Sequence, residues 1–339
     1  MHLKTTKTKL GSNKIMAGNA QKLSRRQALT QAGVLVGAAL ATGAQPTRAA
    51  ESKQPGAAEH GGFRYCLNTA TIRGQKLGIV KEIEVTAQAG FQAIEPWVAA
   101  IETYQKEGGS LSDLKHRIAD LGISVESAIG FPQWIAEDDA KRAQGLERAR
   151  FEMDLIAKIG GKRLAAPPTG ATELPKLELL KAAERYRALL AAGDQIGVVP
   201  QLELWGFSKN LNQLGECACV AIETGHPKAC VLADVFHLYK GGSDFSGLRL
   251  LSRNAIQVFH LNDYPPDPPR EKVDDSFRVF PGDGVAPLTE ILRGLQDNGG
   301  QTVLSLETFN RKYWEMDALE IARAGLEKMK LAVGKALSR

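Results

Sequence analysis

Residues 199–237, VPQLELWGFSKNLNQLGECACVAIETGHPKACVLADVFH, hold one full turn of the pattern that organises this chain. Val199 to Leu204 is a short apolar run, Leu211 to Thr224 is amphipathic with helical spacing, and Val231 to Asp234 is a second apolar run. Short runs that are apolar throughout suit parallel strands buried on both faces, and a parallel pair needs a crossover between its strands, usually a helix. Each run carries a carboxylate at its end, Glu203 in the first and Asp234 in the second.

Working outward, the same unit recurs eight times. The strand candidates are Phe63 to Asn68, Gln92 to Trp97, Ile123 to Ile129, Arg163 to Ala166, Val199 to Leu204, Val231 to Asp234, Ile256 to Asn262 and Thr302 to Glu307. Helical stretches lie between them, among them Leu111 to Leu121, Ala140 to Ile159, Lys176 to Ile196, Leu288 to Asp297 and Ala318 to Leu331. Gly-containing turns such as Leu121-Gly122 and Ile196-Gly197 punctuate their ends. Eight βα units over about 270 residues predict a single-domain α/β fold, the (β/α)8 TIM barrel, spanning residues 63–336. An open doubly wound sheet would carry a phosphate-binding glycine fingerprint after its first strand, and none follows Asn68.

The first fifty residues have another character. They contain eight Lys or Arg and no acid, and Ala32 to Gly43 is a small apolar run, shorter than the roughly 20 residues of a spanning helix. Thr47-Arg48-Ala49 offers small residues for cleavage, and Arg25-Arg26 ahead of the apolar run resembles the twin-arginine export signal. We therefore expect an export signal over 1–50, a Gly/Ala/Pro-rich linker over 51–62, and a periplasmic or otherwise extracytoplasmic protein without stable membrane insertion after processing. The formal charge of +5 belongs to this leader; without its eight basic residues the balance is about −3. A mildly acidic body with no basic stripe argues against nucleic acid as a partner. Cys66, Cys217, Cys219 and Cys230 lack zinc-type spacing and read as small buried hydrophobes.

Active sites of this fold sit at the C-terminal ends of the strands. Those ends carry Glu95, Glu203, Asp234, His260 and Glu307, the last four on consecutive strands. Three carboxylates converging on half of a barrel mouth repel one another unless a cation neutralises them. One imidazole with three carboxylates suits a divalent ion, Mn, Mg, Co or Zn, with positions left for substrate.

These residues also carry a family resemblance. Leu202-Glu203-Leu204-Trp205, Asp234-Val235-Phe236-His237, Val258-Phe259-His260-Leu261-Asn262-Asp263, Arg278 to Gly284 (Arg-Val-Phe-Pro-Gly-Asp-Gly) and Ser305-Leu306-Glu307 occur in the order seen in sugar phosphate isomerases/epimerases, and the chain resembles that xylose-isomerase-like group of TIM barrels. The resemblance implies Glu203, Asp234, His260 and Glu307 as metal ligands, with Glu203 and Glu307 also the catalytic acid/base pair on opposite faces of the substrate. It implies that His237 and Arg278 contact substrate oxygens, and that homodimers are common among such barrels. Among neighbouring residues, Trp205 and Glu95 are expected at the substrate, and Asp263 is expected to orient His260 or the nearby loop backbone. In one respect the chain departs from epimerases similar to tagatose 3-epimerase: Trp205-Gly206-Phe207-Ser208-Lys209 lacks their second Glu.

The function expected is a metal-dependent isomerase or epimerase acting on a sugar or keto-sugar through an enediolate. β-Elimination on a 3-keto-glycoside shares the first step and stays open, as does a sugar-binding protein without turnover. An endonuclease IV-type nuclease needs many His ligands, and this chain has six His, of which only His237 and His260 fall at strand ends.

Overall fold

The computed structural model describes residues 62–299 and 301–338; the expected export signal and nearly all of the linker lie outside them. Eight parallel strands form the centre: β1 (Arg64–Asn68), β2 (Ala93–Glu95), β3 (Ser124–Val125), β4 (Arg163–Ala166), β5 (Val199–Glu203), β6 (Val231–Asp234), β7 (Val258–Leu261) and β8 (Val303–Leu306). Their neighbour order is β3-β2-β1-β8-β7-β6-β5-β4. The two ends meet through Ala128, whose N–H donates to Arg163 O at 3.1 Å and whose carbonyl accepts the Ala165 N–H at 2.9 Å. The sheet thereby closes into the barrel expected from the eightfold repeat.

β3 is shorter than the expected Ile123 to Ile129. Beyond Val125 the chain zigzags between its neighbours: Glu126 N–H donates to Ile94 O, Ala128 N–H to Arg163 O, and Ile129 N–H to Pro96 O. A segment shared in this way forms no continuous ladder with either side. Helices not named in the expectation include Val98–Lys106 and Val235–Gly241, which follow β2 and β6.

The strands alternate as a closed barrel requires. Cys66, Ala93, Ile129, Ala165, Leu232, Val258 and Val303 pack together as an inner apolar layer. Their outward neighbours Leu67, Ile94, Ala233, Phe259 and Leu304 join the larger core shared with the helices. Two residues further along the inner face come Asn68, Glu95, Asp234, His260 and Ser305. Register completes the arrangement: Asp234 pairs with His260 and His260 with Ser305, while Asn68 pairs with Glu95. A polar layer therefore rests on an apolar one, toward the C-terminal end of the barrel. Among the described residues, no helix is long and apolar enough to cross a membrane.

Candidate active site

Asp234 ends β6 and caps the helix Val235–Gly241, its Oδ1 accepting the His237 N–H at 2.9 Å. His260 lies within β7, and Glu307 follows β8 directly. One ligand atom from each of Asp234, His260 and Glu307 lies within 4.8 Å of the other two, all three side chains being buried. His260 Nδ1 stands 3.1 Å from Glu307 Oε2 and 3.6 Å from Asp234 Oδ2. Glu203, expected as a fourth ligand, does not join this cluster; it faces the same cavity as Glu307.

Glu95 pairs with a basic side chain, the alternative to a place at the substrate. It is fully buried on the inner face of β2, and its Oε2 lies 3.0 Å from His260 Nε2. The same oxygen accepts from Asn68 Nδ2 at 3.0 Å and Ser305 Oγ at 2.6 Å. Glu95 thus sits behind the imidazole, outside the lining of the cavity that Glu203 and Glu307 face, and aims Nδ1 at the carboxylates. Asn68 also donates to Glu307 Oε1 at 3.0 Å, and Asn262 Nδ2 ties Asp234 Oδ2 at 3.0 Å to the Glu307 carbonyl at 3.1 Å. Asn68, Asn262 and Ser305 carry no charge and were not singled out in the sequence, although Asn68 closes β1 and so satisfies the same strand-end rule.

Arg278, expected as an arm toward substrate, is 1 % exposed and engaged with protein carboxylates. Its Nη1 donates to Asp234 Oδ2 at 3.0 Å and Glu307 Oε2 at 2.7 Å, and its Nη2 to Asp275 Oδ1 at 2.5 Å. Phe236 and Phe309 flank the guanidinium at 4.7 and 5.1 Å. Nη2 also lies 3.0 Å from His237 Nε2, while His237 Nδ1 faces the Gly206 N–H at 3.3 Å. A neutral imidazole has one acceptor nitrogen, so it can satisfy only one of these two donors. Burial, reinforced by Arg278, holds the His237 pKa below its ordinary value.

The remaining electrostatics divide the acids into two kinds. Burial pushes Glu203 up to about 8; His260 opposes the shift and Glu307 adds to it. Burial acts in the same sense on Glu307, but His260 and Arg278 outweigh it and hold this carboxyl well below the usual range. Burial would lower His260, yet the charges of Glu307 and Glu95 raise it well above its ordinary value. Asp263 serves the loop backbone: its carboxylate accepts N–H groups from Tyr264, Gly282 and Ala286 at 2.8, 3.0 and 2.9 Å.

Glu203, Glu307, His237 and Arg278 line a cavity of about 200 Å³, walled by Trp97, Trp205 and several Phe side chains. Trp134, the other tryptophan near a strand end, is fully buried and donates to Pro167 O at 2.7 Å. The cluster suits a divalent cation. Glu203 Oε2 is buried without a hydrogen-bond partner, and an unpaired carboxylate oxygen at such depth is costly unless something binds it; His260 Nδ1 points at the Glu307 and Asp234 carboxylates, where an ion would sit. Asp234, His260 and Glu307 would hold the ion, and Glu95 behind His260 supplies the carboxylate that commonly orients a metal-bound imidazole.

The chain is 24% identical over 286 residues to an inosose isomerase from Bacillus velezensis, an alignment covering 80% of this chain and 98% of the relative. Among solved structures, the IolI protein with a bound zinc atom superposes with a TM-score of 0.75 at 21% identity, over 82% of this chain and all of that one. An L-ribulose 3-epimerase gives 0.65 at 21% identity, over 81% and 95%. Residues 83–332 match the family described as xylose isomerase-like TIM barrel, and with its closed eight-stranded barrel the chain belongs to that family.

Proposed function

We propose that the protein is a divalent-metal-dependent isomerase or epimerase of an unphosphorylated sugar or keto-sugar, working by proton transfer beside a carbonyl. One observation carries this reading: Glu203 and Glu307 line the same cavity, and Glu307 also belongs to the buried Asp234–His260–Glu307 cluster that could hold a metal ion. A divalent ion bound there would polarise a substrate carbonyl and favour the enediolate. In the metal-free protein burial pushes Glu203 up to about 8, and a divalent ion nearby would lower it toward neutral pH, the range in which a carboxyl group can take and return a proton. Glu307 stays anionic under the influence of His260 and Arg278, so it serves as ligand and as base in the early step more readily than as acid. His237, held neutral, and Trp205 form the wall against which the sugar ring rests. The basic, apolar leader supports export within the same reading, and with it a preference for substrates without phosphate.

The test is proton exchange. The purified chain, loaded with Mn2+, is incubated in D2O with free aldoses, ketoses and 3-keto-glycosides, and deuterium uptake beside the carbonyl is followed by NMR. Exchange with wild type and its loss in Glu307→Gln is the expected result, and the labelled product separates isomerase from epimerase and from β-elimination. Turnover confined to sugar phosphates would refute the substrate class; a bound metal with no exchange on any carbonyl compound would refute catalysis.

A further inference from the structure

The mouth of this cavity is more apolar than a sugar alone requires. From Phe309 an aromatic series runs through Trp97 at 6.2 Å between centroids, Phe131 at 5.1 Å, Trp205 at 6.0 Å and Phe207 at 5.1 Å, ending against His237 at 5.6 Å. One face of Trp97 is occupied by the Arg73 guanidinium, 4.0 Å from the ring centroid. Phe131 and Phe207 differ from the others in being 39 % and 43 % exposed, one in the loop after β3 and one in the loop after β5, with Trp205 between them.

Size separates two zones. A cavity of about 200 Å³ lies below the roughly 300–1,000 Å³ span of sites for drug-sized ligands and has room for one six-membered ring, not two. Any second group on the substrate must therefore lie at the rim, on the free surfaces of Phe131 and Phe207. The only cation lining the cavity among the described residues, Arg278, already serves three carboxylates. Arg278 is engaged with carboxylates and the Arg73 guanidinium lies against Trp97, whereas Phe131 and Phe207 keep exposed faces for an apolar group.

We infer that the natural substrate has two parts: a polar sugar or keto-sugar ring that fills the cavity, and an aryl substituent that lies on Phe131 and Phe207 at the mouth. This inference rests on the sugar-site reading above and narrows it to aryl glycosides and their oxidised forms. Offset or edge contacts with aromatic rings favour such a substituent by about 0.5–1.5 kcal/mol each. Two of them correspond to roughly a tenfold preference over a methyl substituent.

Calorimetric titration of the Mn2+-loaded full chain compares phenyl and methyl β-glycosides of glucose, galactose and xylose. A phenyl-to-methyl affinity ratio of about ten or more for at least one sugar is expected. That ratio should fall toward one in Phe131→Ala and in Phe207→Ala, with melting temperatures confirming that both variants are folded. Equal affinities, no measurable phenyl glycoside binding, or a ratio that survives both substitutions would overturn the inference. Binding is read without turnover, so a failure of deuterium exchange with the preference intact would count against the proposed reaction and leave this inference standing.

Discussion

Arg278 brings a full positive charge within 3.0 Å of Asp234 and 2.7 Å of Glu307, two of the three side chains that would hold a metal. Breaking a buried ion pair by removing one partner typically costs about 3–5 kcal/mol, because the remaining charge is stranded. In Arg278→Met the stranded charges are carboxylates that a divalent ion can neutralise. The variant should therefore melt well below wild type in EDTA and gain more from Mn2+ than wild type does, both read from thermal melts. Equal metal-induced shifts in the two proteins would show that the guanidinium and the ion do not share these carboxylates. Glu95 acts one step further out. Glu95→Gln keeps the shape but weakens the hold on His260 Nε2, and loss of such a partner commonly lowers metal affinity about 10- to 100-fold, measurable by titration calorimetry with Mn2+. Strand-end acids were legible in the sequence because a charge closing an apolar run is conspicuous. That Glu95 turns to His260, or Arg278 back to Asp234, depends on which inner-face residues become neighbours across the barrel, and sequence spacing does not contain that information.

Each element serves the site by where it stops. β6 ends on Asp234, and the same carboxylate starts the next helix, so the strand end and the His237 backbone are fixed by one residue. The β5 loop is held against that helix by Gly206: a Cβ at this position would meet His237 O at 2.4 Å and Gly241 N at 2.6 Å. Gly206→Ala should destabilise the fold by about 1–3 kcal/mol, as overpacking against backbone does, and push Trp205 and Phe207 off the His237 wall. Denaturant melts measure the first effect and weakened glycoside binding the second; an unaffected variant would mean that the two loops are free to part. β4 and β6 match their sequence readings, and the helix Leu288–Asp297 does too, because long periodic or compact apolar runs leave little freedom. The seven-residue helix Val235–Gly241 escaped because it is too short to display a period, and β3 was overextended because Glu126 to Ile129 bonds alternately to both neighbours without forming a ladder with either, which sequence does not reveal.

Across the whole molecule, the barrel concentrates acids whose protonation must register in stability. Glu203 has a folded pKa of about 8 against an ordinary 4.5, caused first by burial, and Glu82, also buried, is pushed up to about 7. For an acid raised by folding, the native state holds the proton through a window in which the unfolded chain has released it. Stability of the metal-free protein should therefore fall as pH rises from about 4.5 to 8, by several kcal/mol in order of magnitude, and His260, held well above its ordinary value, extends the fall beyond its ordinary pKa. Glu307 is depressed instead; its contribution is fully present above its ordinary pKa and is lost only in stronger acid, so it does not cancel this slope. Thermal melts in EDTA between pH 5.5 and 8.5 should show the decline, at about 2–4 °C per kcal/mol for a chain of this size. Glu203→Gln, which cannot ionise, should flatten much of it and leave the Glu82 and His260 shares. Saturating Mn2+ should reverse the trend if Glu203 must be ionised in the loaded site, because a ligand proton competes with the metal and the ion would then bind more tightly as pH rises. A wild-type slope that Glu203→Gln leaves unchanged would place the proton-holding group elsewhere and remove Glu203 as the acid poised near neutral pH.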